Sequence, residues 1–192
     1  ISMNIKNLTQ RLKRAPARNL KRLDDGELVD LARGGDKEAF GELYERYLEK
    51  IYNYVYYRTG NHHDAEDLTA RVFTRAMAHI ETYTERGVPF QAWLYRIAHN
   101  LLMDHHRKQA LHQHRLPQIY AESAFIDTDN TAELDENLST ADDEQKLLAA
   151  VATLDPLHQT VLLLRFVQGL EHEAVAQIVN RTAGAVRVIQ HR

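Results

Sequence analysis

Apolar residues recur every three to four positions through most of the chain, and no segment alternates apolar and polar residues as a half-buried β-strand does. That spacing lines apolar side chains along one face of an α-helix. Residues 36–60 show it best, because Asp36 suits a helix start and Gly60 a helix end on either side of a continuous apolar stripe. The pattern predicts an all-α protein.

The predicted helices fall into two groups that flank residues 113–143. The first helix begins at an acidic capping box, in which Asp24 is followed three residues later by Glu27, and it stops at Gly34. In the first group, the predicted helices cover about 24–33, 36–60 and 63–80, and a fourth helix begins at 89. In the second group, they cover about 142–153, 156–167, 171–179 and 182–192.

The net charge of −3 conceals segments of opposite sign. Residues 1–23 carry seven Lys or Arg and no acid, whereas residues 117–144 carry nine Asp or Glu and no Lys or Arg. A one-sided charge without sustained periodicity is typical of a flexible linker. We therefore expect two small helical domains joined by an acidic flexible linker. The expected divisions are a basic N-terminal extension at 1–23, a first domain at 24–112, the linker at 113–143 and a second domain at 144–192.

Composition excludes several classes of protein. The chain has no cysteine, which rules out a disulfide scaffold and a thiolate metal site. No apolar stretch approaches the roughly 20 residues of a transmembrane helix, so membrane insertion is not expected. The N-terminal residues lack the apolar core of a signal peptide, and the expected compartment is the cytoplasm.

The last two predicted helices form a candidate helix-turn-helix. Asn180 suits the turn because asparagine adopts the left-handed conformation readily, and Thr182 suits the start of the second helix. The exposed face of that second helix would enter the DNA major groove. The candidate DNA-contacting residues are Arg181, Thr182, Arg187, Gln190, His191 and Arg192. The pattern is still helical at the last residue, so a further turn is expected beyond it, and an ordinary helical hairpin is the alternative.

Both halves of the chain resemble one family of transcription factors. Residues 154–187 resemble region 4 of bacterial sigma factors, although LuxR-type regulators share part of this pattern. The Asp64-Ala65-Glu66-Asp67-Leu68 run is similar to region 2.2 of the extracytoplasmic-function (group 4) sigma factors of the sigma-70 family. The segment from Phe90 to Arg107 is similar to their regions 2.3 and 2.4, and Gly34 to Phe40 fits their region 2.1.

The resemblance implies a subunit that directs bacterial RNA polymerase to promoters and has no cofactor, metal or catalytic residue of its own. Region 2.2 of the family docks on the coiled coil of the polymerase β′ subunit, and region 4 docks on the β flap. The docking residues implied here are Asp64, Glu66, Asp67, Arg71 and Arg75. Helix capping is the alternative role of Asp64 and Asp67. The chain has Ala70-Arg71 where the family commonly has Gln-Glu, so contacts at these two positions are expected to differ.

The resemblance also implies that the first domain recognises the −10 promoter element and the second domain the −35 element. Recognition of an opened −10 element needs a pocket for an unstacked base beside a positively charged track. The residues assigned to this role are Tyr83, Arg86, Arg96, Asn100 and Arg107. Phe90 and Trp93 are assigned to core packing instead. The family further implies an anti-sigma factor as an inhibitory partner.

Two other functions compete with this interpretation. A stand-alone helix-turn-helix regulator would bind duplex DNA without polymerase, but it leaves the motifs of the first domain unexplained. A helical metal-dependent hydrolase would need paired ligands such as His-Glu-x-x-His, which the sequence lacks. His105, His106, His112 and His114 cluster near the end of the fourth predicted helix. We assign them to a solvated or phosphate-facing surface.

Overall fold

The computed structural model describes residues 19–84, 88–115, 146, 149–151 and 153–191, with the backbone alone for 112–115. Most of the basic extension and of the acidic linker lie outside the described residues, as do Arg86, Arg192 and much of the helix expected at 142–153. Every regular element in the described ranges is helical, so the prediction of an all-α chain is confirmed. Within the same ranges, no helix is long and apolar enough to cross a membrane.

The first domain is a bundle of four helices around one core. They are α1 (Asp25–Arg33), α2 (Lys37–Thr59), α3 (His62–His79) and α4 (Phe90–Arg115), with short 3₁₀ turns at Leu20–Arg22 and Ile80–Thr82. Each helix contributes its apolar stripe to the same interior. The fully buried side chains of that interior include Leu28, Leu43, Ile51, Leu68, Leu94 and Leu101.

Side-chain caps determine where these helices begin. The Asp24 carboxylate accepts a hydrogen bond from the Glu27 backbone N–H at 2.8 Å, and the Glu27 carboxylate accepts one from the Asp24 N–H at 2.9 Å. The predicted capping box is therefore confirmed. Helix α3 begins one residue earlier than expected, because the Asn61 side chain accepts a hydrogen bond from the Asp64 N–H at 3.0 Å and caps the helix there.

The second domain contains α5 (Pro156–Leu162), α6 (His172–Val179) and α7 (Ala183–His191). An α-helix was expected through residue 167, but a π-helical turn replaces it over Leu163–Val167. The Gln168 N–H donates to the Leu163 carbonyl at 3.0 Å across this wider turn. As a result Leu163 and Leu164 are both buried while Phe166 and Val167 are exposed.

Helices α6 and α7 form the predicted helix-turn-helix. Asn180 adopts the left-handed conformation, with φ of 52°, and is the one non-glycine residue with positive φ in the part of the chain described. The Thr182 hydroxyl oxygen accepts a hydrogen bond from the Ala185 N–H at 3.1 Å and caps α7. The inner faces of the two helices bury Val175 and Val186. The turn chemistry expected from the sequence is therefore confirmed.

Candidate nucleic-acid interface

A cleft of about 450 Å³ lies where the end of α3 meets α4. Its lining residues are Arg75, His79, Thr82, Tyr83, Trp93, Arg96, Ile97 and Asn100. Three of the five residues assigned to the −10 element, Tyr83, Arg96 and Asn100, are therefore brought together at one site. Arg96 and Asn100 are exposed and stand one turn apart on α4.

Aromatic rings form the wall of this cleft. Tyr83 is only 5% exposed, and its hydroxyl donates to the Val88 carbonyl at 2.7 Å. Its ring centroid lies 4.9 Å from that of Trp93, which in turn lies 5.6 Å from that of Phe90. Phe90 and Trp93 are buried, which confirms their assignment to core packing. Tyr83 belongs to the same buried cluster and is not an exposed loop residue.

The cleft also contains residues that the sequence analysis did not assign to it. Arg75 was placed in the polymerase-docking set, but its side chain lines the cleft together with His79 and Thr82. His79 is one turn after Arg75 on α3, so helical spacing was the available signal. Arg75 and Arg96 are both exposed, and the described lining contains no carboxylate. The cleft therefore combines an aromatic wall with a positively charged rim.

Arg107 lies outside the cleft on the same helix. It is seven residues after Asn100, which places it on the same side of α4 about 10 Å further along. It is exposed and forms an ion pair with Asp104. Arg107 therefore does not line the cleft with Arg96 and Asn100.

The docking residues expected on α3 share one stripe, apart from Glu66, which is exposed on the far side of the helix from Asp64 and Arg75. The Asp67 carboxylate lies 3.4 Å from the Arg71 guanidinium. The Asp64 carboxylate lies 3.6 Å from Nε2 of His105 on α4. Neither acid caps the helix, since Asn61 has that role. The stripe thus presents acids near the start of α3 and bases toward its end.

The exposed face of α7 carries Arg187, Val188 and His191. Arg187 donates from Nη2 to Oε1 of Glu173 on α6 at 3.2 Å, and both side chains are more than half exposed. Arg181 is exposed in the turn, and Thr182 stands at the helix start. These side chains occupy the face that a helix-turn-helix presents to the major groove.

Gln190 is placed differently from the expectation. It is half-buried, and its Oε1 lies 3.0 Å from Nε2 of His172 and accepts from Nε of Arg165 at 3.4 Å. The physical reason is that Gln190 follows the buried Val186 by four residues, so both lie on the inner side of α7. The amide therefore joins α7 to α6 and to the π-helical turn instead of facing outward.

Buried basic groups lie between α2 and α4, on the side of the first domain that faces the second. Arg58 is 6% exposed. Burial, with a smaller contribution from the Arg58 charge, lowers the pKa of His99 to about 4, so this imidazole is neutral at pH 7. The same causes, with His105, lower the pKa of His106. Among the described residues, no group of three or more His, Asp or Glu side chains is arranged to hold a metal ion.

Comparisons with known proteins agree with the two-part architecture. The family model described as Sigma-70 region 2 matches residues 43–112, and that described as Sigma-70, region 4 matches residues 150–192. The ECF RNA polymerase sigma factor SigD of Mycobacterium tuberculosis is 30% identical over 185 residues, which are 90% of this chain and 80% of SigD.

A second relative is longer than this chain. The ECF RNA polymerase sigma factor BldN of Streptomyces coelicolor is 37% identical over 166 residues, which are 86% of this chain but 61% of BldN. The chain therefore spans less than two thirds of the length of BldN.

Two solved structures share the fold. CnrH, in complex with the cytosolic domain of CnrY, has a TM-score of 0.66 and 19% identity over 88% of this chain and 90% of that one. The sigma factor RpoE of Bartonella quintana, in complex with the anti-sigma factor NepR, has a TM-score of 0.62 and 22% identity over 80% of this chain and 90% of that one.

Proposed function

Since this chain belongs to the extracytoplasmic-function sigma factors, we propose that it directs bacterial RNA polymerase to specific promoters and starts transcription there. The observation that carries the proposal is the cleft between α3 and α4, with its aromatic wall and positively charged rim. In this proposal the chain contributes binding and no catalysis, and it works in the cytoplasm, where polymerase and promoter DNA are found.

The cleft is the proposed site for an unstacked base of the −10 element. Its volume of about 450 Å³ lies within the range of small-ligand sites. The Asn100 amide offers a donor and an acceptor to a base edge. Arg75 and Arg96 on the rim would hold the flanking phosphates of the single strand. Arg107, further along α4, would contact the next phosphates. Arg86, which lies outside the described residues, is assigned to the same role.

Helix α7 is the proposed reader of the −35 element. Arg187 would make a bidentate contact with a guanine in the major groove. His191 is exposed one turn further along the same face of the helix. Arg181 and Thr182 at the start of the helix would contact phosphates. Arg192, which lies outside the described residues, is assigned to the same surface.

The proposed partners are core polymerase and an anti-sigma factor. We assign Asp64, Asp67 and Arg71 on the α3 stripe to the β′ coiled coil. Glu66, on another side of the same helix, is assigned to the same partner, while Arg75 is assigned to the cleft. The second domain would dock on the β flap. An inhibitory protein partner is proposed because RpoE, which shares the fold, is in complex with the anti-sigma factor NepR.

Run-off transcription with core polymerase tests this function. We expect promoter-specific transcripts only when the chain is added. Asn100→Ala and Arg96→Ala should each lower transcription about tenfold or more, because each removes a contact to the opened strand, while binding of core polymerase stays unchanged. Lys50→Ala is the matched control, since Lys50 is an exposed cation of the same domain on α2. Tight, sequence-specific duplex binding without polymerase would instead establish the stand-alone regulator.

A further inference from the structure

A cavity of about 620 Å³ lies beside the end of α2, where the first domain meets α5 of the second. Its volume lies within the range of sites for small organic ligands. The described lining contains no Asp or Glu, and it shares no residue with the cleft or with α7. Arg58, His106 and Gln159 contribute polar groups to the cavity, while Tyr57 and Met103 contribute aromatic and apolar surface.

Arg58 is a buried cation with no acidic partner in the part of the chain that the structure describes. It is 6% exposed. Its Nη1 donates to the Pro156 carbonyl at 2.9 Å and to Oε1 of Gln159 at 2.5 Å, and both acceptors are uncharged. Its Nε is buried and has no hydrogen-bond partner among the described residues. Because burying a charge is costly unless the charge is paired, a negative group is expected beside this guanidinium.

The imidazoles near Arg58 do not supply that negative group. Burial, followed by the charge of Arg58, lowers the pKa of both His99 and His106. Both rings are therefore neutral at pH 7, and each has one N–H to donate. Nδ1 of His99 is itself buried without a hydrogen-bond partner in the described ranges. The surroundings of Arg58 thus offer hydrogen-bond donors and no compensating charge.

These groups define the class of ligand that would fit the cavity. A phosphate group would neutralise the guanidinium and has enough acceptor oxygens for both Arg58 and His106. The cavity is much larger than the share of one water molecule in the liquid, about 30 Å³. An organic group therefore has room beside the phosphate, against Tyr57 and Met103.

We propose that this cavity binds a small organic phosphate, whose phosphate group pairs with Arg58 and whose organic part lies against Tyr57 and Met103. The site is separate from both proposed DNA-binding surfaces and does not depend on the proposed function. Its lining comes from α2 and α4 of the first domain and from α5 of the second. A bound ligand therefore contacts both domains and should stabilise them together against unfolding.

Thermal denaturation of the full chain tests the site, because a ligand that binds only the native protein raises its melting temperature. The probes are phenyl phosphate, inorganic phosphate and phenol, with ionic strength matched by sodium chloride. We expect phenyl phosphate to raise the melting temperature by about 5 °C or more at about 100 times its Kd. Inorganic phosphate should bind more weakly, because it lacks the ring. Phenol should not raise the melting temperature, because it lacks the charge.

Three variants locate the binding, with affinities measured by isothermal titration calorimetry. Arg58→Gln should weaken the binding of phenyl phosphate about tenfold or more, because it removes the charge that the phosphate neutralises. Met103→Ala should weaken the binding of phenyl phosphate but not that of inorganic phosphate, since only the organic part reaches this side chain. Lys108→Gln is the matched control, because Lys108 is an exposed cation of α4 outside the cavity. It should leave both affinities unchanged.

The Nε–H resonance of Arg58 in the ¹⁵N-labelled parent protein reports the contact directly, and it decides the proposal even where Arg58→Gln fails to fold. We expect this resonance to shift progressively as phenyl phosphate is added. The proposal is overturned by a melting temperature that responds to neither phosphate, by an Nε–H resonance that does not shift, or by a folded Arg58→Gln variant that keeps the affinity of the parent. None of these measurements uses polymerase or DNA, so a failure of the proposed function would leave their result unaffected.

Discussion

The two candidate DNA-binding surfaces are built in different ways. The cleft of the first domain combines residues from α3, the following 3₁₀ turn and α4, and two of its walls are buried aromatic rings. The face of the second domain is one side of a single short helix, α7, whose reading residues are exposed. The cleft therefore depends on the packing of a whole domain, whereas the reading face depends only on how one helix is oriented.

This difference predicts that the two surfaces respond differently to mutation. In the first domain, stability and DNA recognition should be lost together, because Trp93 and Tyr83 are buried in the core and also line the proposed site. In the second domain, substitution of a residue that contacts bases should leave the stability unchanged. Substitution of a residue that orients α7 should change the affinity for DNA without changing the base preference.

The largest effect is expected for Trp93→Ala. Trp93 is 8% exposed and packs against both Tyr83 and Phe90, so its removal should lower the free energy of unfolding by about 3–5 kcal/mol. Opening of the −10 element should be lost with it. Thermal denaturation and permanganate footprinting of the promoter measure the two effects. Val188→Ala, at an exposed position of α7, should change stability by less than about 0.5 kcal/mol. If Trp93→Ala kept full stability, the cleft would not depend on the core.

Smaller effects are expected on α7, where they distinguish a residue that contacts bases from a residue that orients the helix. Arg187→Ala should cost about 1–3 kcal/mol of binding and relax the preference at one base pair of the −35 element. Gln190→Ala should weaken binding to all −35 sequences alike, because Gln190 contacts Arg165 and His172 instead of facing outward. Transcription from a library of −35 sequences measures both. If Gln190→Ala changed the base preference, Gln190 would instead belong to the face of α7 that contacts bases.

The sequence predicted well whatever is determined by local chemistry. The capping box of Asp24 and Glu27 and the left-handed turn at Asn180 appear as expected, because each depends on residues within a few positions of one another. The apolar periodicity likewise identified the helices and the core role of Trp93. The helix bounds differ where a neighbouring group intervenes, as the Asn61 cap does for α3.

What the sequence did not predict depends on contacts between distant residues. Arg75 lines the cleft because α3 ends beside α4, and its position on the docking stripe alone could not indicate this. Gln190 lies on the inner side of α7, and its partners there are Arg165 and His172, 25 and 18 residues earlier in the chain. The buried Arg58 pairs with Pro156 and Gln159 across 98 and 101 residues. Helical periodicity carries no information about such pairs.

The smallest effect is expected for substitutions of Asn180, which test whether the turn between α6 and α7 determines the orientation of α7. Asn180 has φ of 52°, where a β-branched residue is strained. Asn180→Val should therefore cost about 1–2 kcal/mol of unfolding free energy, while Asn180→Gly should be close to neutral, because glycine adopts this conformation freely. Chemical denaturation compares the two variants. Since Asn180 is exposed, a loss confined to Asn180→Val reports backbone conformation and not a missing side-chain contact. Equal losses in both variants would mean that the asparagine side chain, rather than the left-handed turn, holds α6 and α7 together.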